Sequence, residues 1–256
     1  MKAIIIAAGM GSRLSPLTRS LPKCMLQFKG KSLLERQLEV FKAVNIKNII
    51  LIKGYRKEKI DYPKIKYYIN DDYENNNILN SLFYAEQEIV GDVIVSYSDI
   101  LFKRSVLEKL LTSKNDISIV VDRDWKESYK GRKYHPQEEA EKVILDANNN
   151  VLEIGKVLSK NHAVSGEFIG LMKLSSSGSG IFREHFKRVK KIYWGKPFQK
   201  AAIFQKAYLT DMIQEMLDCG AKINSVVIEG GWREIDTIED YEKALKELGQ
   251  CSESHD

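Results

Sequence analysis

An α/β fold, with a mainly parallel sheet and helices on both faces, is what the sequence predicts, on three observations. Short β-rich apolar runs alternate with segments whose apolar residues recur at helical spacing. The first of these runs, Lys2–Ala7, is almost wholly apolar, as a strand buried on both faces must be. A glycine-containing turn follows it directly, at the end of a strand where open parallel sheets bind ligands.

Each element can be justified in turn. Residues 32–44 carry Leu33, Leu34, Leu38 and Phe41 at helical spacing. Residues 48–53 and 66–69 read as strands and 80–89 as a helix. Residues 92–97 form a strand ending in an acidic turn, 103–111 a helix and 117–121 a strand. This βαβ order predicts parallel pairing. Residues 122–141 are polar and aromatic, with Tyr129-Lys130-Gly131-Arg132 at the centre, and read as an excursion over the sheet. Residues 142–145, 151–156 and 168–174 are expected as strands of a mixed sheet. Residues 175–180 read as a loop, 181–190 as a helix, and 208–217 as a helix stopped by Gly220. A strand over 223–228 and an amphipathic helix over 238–248 close the pattern. Repeats, long low-complexity stretches and linkers are lacking, so residues 1–256 read as one domain with a polar, frayed tail over 250–256.

Composition excludes several classes. Hydrophobic residues make up 43% and charged residues 29%, ordinary for a globular protein. Forty cations against thirty-five acids give a net charge of +5, too small an excess for a nucleic-acid binder, although it suits a local site for a phosphorylated small molecule. The three cysteines, Cys24, Cys219 and Cys251, are odd in number and widely spaced, which argues against a disulfide framework or a zinc site. The N-terminal run enters glycines and an arginine without a cleavage pattern, and no apolar run is long enough to span a bilayer. A cytoplasmic protein without membrane or nucleic-acid partners is expected; oligomeric state is left open.

The strongest local signal is Ala7-Ala8-Gly9-Met10-Gly11-Ser12-Arg13-Leu14. Small residues let a backbone approach phosphates, and successive N–H groups can form an anion nest. Arg13 adds a bidentate cation, and Lys23, fixed behind Pro22, a point charge. A tight strand-to-helix turn is the plainer reading of the two glycines alone. A dinucleotide fingerprint is ruled out because Leu14 stands where its third glycine belongs. A phosphate loop ending Gly30-Lys31-Ser32 fails because Met25 stands at its first glycine.

Gly9-Met10-Gly11-Ser12-Arg13-Leu14 … Pro22-Lys23 resembles the signature of the sugar-nucleotide pyrophosphorylase superfamily. The likeness continues through Gly30–Glu35, Gly54-Tyr55, Asn77…Asn80-Ser81-Leu82, Ser98-Asp99 and Trp232-Arg233-Glu234-Ile235-Asp236-Thr237, over nearly the whole chain. Within it, the chain is most similar to the small phosphocholine and phosphonate (2-aminoethylphosphonate-type) cytidylyltransferases. The stretch from Trp125 to Glu141 favours the phosphonate group.

This resemblance implies a Rossmann-like, nucleotide-diphospho-sugar transferase-like fold and a Mg2+-dependent transfer of CMP from CTP to a small phosphonate or phosphate acceptor. It implies Asp99 and Asp236 as metal ligands; on residues alone each is equally a turn or helix-capping residue. Arg13 would hold the β- and γ-phosphates and Lys23 would stabilise the reacting phosphates. Lys156 aligns with a lysine that contacts the acceptor or the α-phosphate, although Gly155 stands where relatives often carry an acid. Ala7, Ala8, Gly9, Gly11, Ser12, Gly54, Asn77 and Ser81 would complete the nucleotide site, whereas Asn75 and Asn76 read as polar loop.

For the acceptor, Trp125, Tyr129, Trp194 and Trp232 are candidates for an aromatic wall around a cationic amine, or else core residues. Glu167 or Glu234 could pair with an ammonium, and Arg132 with phosphonate oxygens or, at the surface, with Glu139. His135 and His162 have no second ligand at useful spacing and read as structural or exposed. A sugar-1-phosphate nucleotidyltransferase is the alternative within the class. A non-catalytic nucleotide-binding regulator is the alternative outside it, disfavoured by the presence of Arg13, Lys23, Asp99 and Asp236.

Overall fold

The computed structural model describes residues 1–159 and 163–250. His162 and the tail beyond residue 250 lie outside the described residues. β1 (Lys2–Ala7) runs into the glycine turn; a hairpin of β2 (Gln27–Phe28) and β3 (Lys31–Ser32) then leads to α1 (Leu33–Ala43). Ser32 starts α1 with a capping box: its hydroxyl accepts from Glu35 N at 3.0 Å, and Glu35 Oε2 accepts from Ser32 N at 2.5 Å. There follow β4 (Ile49–Lys53), β5 (Ile65–Ile69), α2 (Ile78–Leu82), β6 (Val93–Tyr97), β7 (Ile100–Phe102), α3 (Arg104–Thr112) and β8 (Ile117–Asp122). The second half holds α4 (Trp125–Tyr129), β9 (Lys142–Leu145), β10 (Val151–Gly155), β11 (Gly166–Leu174), α5 (Ser176–Tyr193), α6 (Leu209–Asp218), β12 (Asn224–Ile228), β13 (Trp232–Glu234) and α7 (Ile238–Gln250).

One nine-stranded sheet organises the chain, in the order β10-β9-β11-β6-β1-β4-β5, with β8 pairing β11 and β12 pairing β8. β6, β1, β4 and β5 are mutually parallel, as are β8 and β12; β11 runs against β6, β8 and β9. β1 is apolar on both faces because it is central. Ile4 and Ile6 enter one core with Leu79, Phe182 and Met212, while Ala3, Ile5 and Ala7 enter the other with Leu34, Phe41 and Leu107. A smaller cluster of Leu14, Leu26, Phe28, Leu33, Ile235 and Ala244 packs α7 onto the N-terminal turn and hairpin. That contact brings Asp236 beside Arg13 and Lys23.

Three departures from the expected elements have physical causes. Residues 175–180 are not a loop: α5 begins at Ser176, and the Ser175 hydroxyl caps it by accepting from Gly178 N at 3.0 Å. Gly178 is there for close packing, since a Cβ would lie 2.0 Å from the Asp116 carbonyl oxygen. The expected helix over 80–89 breaks after Leu82 into a 3-10 segment, Phe83–Glu88, with Ala85 out of helical geometry. β7 and β13, three residues each, pair only with one another and carried no periodic signal.

β11 bulges between Phe168 and Met172. Gly170 supplies φ +79° there, and a Cβ would meet the Tyr97 ring at 2.4 Å. Among the described residues no helix is long and apolar enough to cross a membrane.

Candidate active site

Beyond the carboxyl ends of β1 and β6 lies a cavity of about 330 Å³. The turn after β1 forms one wall with Ala8, Gly9, Gly11, Ser12 and Arg13. Gly11 is left-handed at φ +60°, and a Cβ would come within 3.0 Å of Lys23 Cβ, so glycine satisfies both backbone and space. Ala7 and Gly54, expected to line the nucleotide site, stand behind its wall. Ala7 points into the opposite core, and Gly54 packs so tightly that a Cβ would lie 2.8 Å from the Ala8 carbonyl oxygen. That oxygen accepts from Tyr55 N at 3.0 Å.

Lys23 is the hub. Its ammonium lies 2.9 Å from Asp99 Oδ2 and 2.7 Å from Asp236 Oδ1, and Arg13 also pairs with Asp236. Burial opposes charge on Lys23, yet Asp99 and Asp236 hold its pKa above the ordinary lysine value. Burial likewise opposes charge on Asp236, but Lys23, the His135 hydrogen bond and Arg13 hold it well below the usual carboxylate range.

Local structure frees both acids for this place. Thr237, not Asp236, caps α7: its hydroxyl accepts from Asp240 N at 3.3 Å, and Asp240 Oδ2 accepts from Thr237 N at 2.9 Å. Asp99 sits in the turn between β6 and β7, where its carbonyl accepts from Ile235 N at 2.8 Å. The β7–β13 ribbon thus fixes the two carboxylates on either side of one lysine.

Asn77 and Ser81 line the cavity as expected. Asn77 Oδ1 caps α2 by accepting from Ile78 N at 2.8 Å, and its amide donates to the Lys206 carbonyl at 3.2 Å. Asn76 is not simple loop. It is buried and lines the cavity, within a closed network in which Asn70 Nδ2 donates to Asn76 Oδ1 at 2.8 Å and to Ser81 Oγ at 2.9 Å. Asn75 remains a surface turn residue, bonded to Asp72.

The far end is acidic and aromatic. Lys156 lines it, with its ammonium 2.7 Å from Glu139 Oε2 and 4.6 Å from the Tyr208 ring centre. Glu141, Glu167, Glu234, Tyr97, Phe168 and Trp232 line the same cavity, Glu234 beside Asp236. Burial pushes Glu141 up to about 8 against the pull of Lys156; burial together with the charge of Glu234 pushes Glu167 up to about 8. Glu234 is raised by burial and by the Asp236 carboxylate.

Two acceptor candidates are corrected. Trp125 is core, packed with Tyr129 and Ala140 away from the cavity. Arg132 is turned from the cavity: it stacks over Tyr129 at 4.7 Å, pairs with Asp240 at 2.8 Å and reaches Glu234 at 3.5 Å, not Glu139. Tyr129 is buried, and Trp194 is an exposed residue elsewhere. His135 is no isolated residue. Its Nδ1 lies 3.0 Å from Asp236 Oδ2, and His135, Glu234 and Asp236 form one close group. Sequence spacing could not reveal this, because His135 lies far along the chain from both partners and only the folded excursion joins them. Glu139, Glu141 and Tyr97 were likewise missed as cavity residues.

A nucleotide-transfer fold with a glycine turn, paired cations and carboxylates defines the class. Residues 3–177 match the MobA-like NTP transferase domain model, and the chain belongs to that family of nucleotidyltransferases. The CTP:phosphoglutamine cytidylyltransferase of Campylobacter jejuni is 30% identical over 259 residues, covering 96% of this chain and 100% of that one. The choline-phosphate cytidylyltransferase of Streptococcus pneumoniae is 40% identical over 117 residues, 44% of this chain and 51% of the relative. A solved structure of the CTP:phosphocholine cytidylyltransferase from Streptococcus pneumoniae superposes with a TM-score of 0.72 at 22% identity, covering 96% of this chain and 98% of that one, which is a likeness of fold.

Proposed function

We propose that this chain is a cytidylyltransferase that moves CMP from CTP to a small phosphate or phosphonate acceptor of the 2-aminoethylphosphonate or phosphocholine kind, releasing pyrophosphate. The observation that carries the reading is Lys23 held between Asp99 and Asp236 at the mouth of the Gly9–Arg13 turn. Cytidine use is supported by the two relatives named for it.

In the proposed reaction an acceptor oxygen forms a bond to the α-phosphorus while the bond to the β-phosphate oxygen breaks. A phosphate monoester is largely dianionic at neutral pH, its second pKa being about 6, so its attacking oxygen needs no general base. What the site must supply is positive charge and alignment. Arg13, half exposed at the turn, takes the β- and γ-phosphates. Lys23 meets charge developing at the reacting phosphates, and Lys156 reaches from the other end toward the acceptor. The Asn70–Asn76–Ser81 network offers a preorganised polar surface for the base.

Asp99 and Asp236 fit a hard divalent cation: both are carboxylates on one cavity, and Asp99 Oδ1 is buried with no hydrogen-bond partner among the described residues. Mg2+ held there would neutralise phosphate charge. Pyrophosphate release with Mg2+, crossing CTP, UTP, GTP, ATP and dTTP with 2-aminoethylphosphonate, phosphocholine and sugar 1-phosphates, tests the reading. Preference for CTP with a small acceptor is expected. Turnover only with sugar 1-phosphates moves the enzyme to another substrate class, and no turnover overturns the proposal.

A further inference from the structure

Resting on the transferase reading, we infer that the acceptor's far end is a primary ammonium, whose N–H groups are read by Glu167 and its neighbours, and not a quaternary ammonium.

The inference follows from which cavity charges are already matched. The lysine and arginine side chains that line the cavity, among the described residues, are Arg13, Lys23 and Lys156. Each pairs with an acid of the same wall: Arg13 with Asp236, Lys23 with Asp99 and Asp236, Lys156 with Glu139. Glu141, Glu167 and Glu234 line the cavity as well and, among the described residues, lack such short ion pairs. Glu234 Oε2 lies 3.5 Å from an Arg132 nitrogen and 3.6 Å from His135 Nδ1, both long for strong hydrogen bonds. Among the described residues the Glu141 carboxyl has only hydroxyl partners, Tyr97 at 3.3 Å and Thr210 at 3.5 Å, both long.

Glu167 is the sharpest case. The residue is 4% exposed, and its Oε1 accepts from the Tyr129 hydroxyl at 2.6 Å. Its Oε2 is buried with no hydrogen-bond partner among the described residues. Tyr129 is itself held between Trp125, His135 and Arg132, so this carboxylate is oriented rather than free to turn. A buried carboxyl with no donor on one oxygen is held in its neutral form, and a ligand that brings both an N–H donor and a positive charge is what lets it ionise.

A primary ammonium carries three N–H donors and a positive charge, so it can donate to Glu167 Oε2 and still offer N–H groups to other acceptors of the cavity. A quaternary ammonium brings the charge but no donor. It would leave the buried Glu167 Oε2 unsatisfied, and a site built around an unmet hydrogen bond rejects the ligand that lacks it.

The test compares three acceptors that share a phosphate and differ at the far end: 2-aminoethyl phosphate, phosphocholine and ethyl phosphate. Each is assayed with CTP and Mg2+ for pyrophosphate release, on the whole chain. The expected kcat/KM for 2-aminoethyl phosphate exceeds that for either of the others by about tenfold or more, the value of one well-made hydrogen bond in such a site. Glu167→Gln should shrink the ratio of the amine to ethyl phosphate toward one; Glu141→Gln serves as the second variant if the first does not fold, by circular dichroism. Phosphocholine turned over as well as the primary amine, ethyl phosphate equal to the amine, or turnover only with amine-free acceptors would overturn this inference and leave the transferase reading intact. Failure of every acceptor with every nucleotide would remove the transferase reading and the inference with it.

Discussion

The ammonium of Lys23 sits 2.7 Å from Asp236 Oδ1, joining residues 213 positions apart in the chain. The contact links the first turn of the fold to its last helix, and Asp99 completes it from the middle of the chain. Lys23→Met keeps the stem and removes the charge. A loss of about 10²–10³ in kcat is expected, with a circular dichroism spectrum like that of the parent. Turnover within a factor of about two of the parent would take Lys23 out of the reaction.

Asp99→Asn and Asp236→Asn keep shape and remove a negative charge each. Both should abolish Mg2+-stimulated turnover and weaken Mg2+ binding in the presence of CTP, measured by titration calorimetry. Parental activity in either variant would remove that residue from the proposed cation site.

Asp122 lies outside the cavity yet holds its wall. Its carboxylate accepts from Trp232 Nε1 at 2.7 Å, Gly230 N at 2.8 Å and Asp124 N at 3.0 Å. Asparagine offers one accepting oxygen in place of two, so Asp122→Asn leaves at least one of these donors unmet. The expected result is a several-fold rise in acceptor KM, a shifted tryptophan emission and an unchanged KM for CTP. A uniform loss for both substrates would instead mark a general structural role.

Burial holds Glu141 and Glu167 protonated up to about pH 8 in the free enzyme. Glu234 and Glu141 push Glu167 up, while Tyr129 and Arg132 pull it down. Pairing with an ammonium requires the charged form, so acceptor KM should fall as pH rises toward and through 8, with KM for CTP flatter. The sign for stability is the reverse. An acid whose pKa is raised by folding favours the fold at low pH, and that contribution is lost as pH climbs from the ordinary carboxylate value through about 8. Glu167→Gln should therefore flatten both the KM profile and the decline of Tm over that window. Unchanged slopes in both would contradict the burial account.

Gly170 is tested by alanine. With φ at +79° and the Tyr97 ring 2.4 Å from where the new methyl would stand, Gly170→Ala should destabilise by about 1–3 kcal/mol in urea unfolding. A neutral result would mean that the β11 bulge relaxes freely.

The first half of the fold was legible because its strands are uniformly apolar and its helices amphipathic, so β1, α1, β4, β6 and α3 fall within a residue or two of their expected limits. Gly178 misled because a glycine kept for close packing looks like a glycine kept for a turn. In the site, Arg13, Lys23, Asp99, Asp236, Lys156, Glu167 and Trp232 all reach one cavity, since strand-end loops converge by topology. Trp125 and Arg132 do not, and His135 does. The excursion over residues 122–141 has no periodicity to say which of its faces meets the sheet. Its fate is set by long-range pairs such as Arg132 with Asp240, which no local pattern encodes.

The most direct measurement follows α-phosphate-labelled CTP during incubation with Mg2+ and 2-aminoethyl phosphate or 2-aminoethylphosphonate. Transfer of label into a cytidine diphosphate-type conjugate, with one pyrophosphate released per conjugate formed, is the predicted result. Label remaining in CTP, or recovered only as CMP with every acceptor tried, would contradict the account.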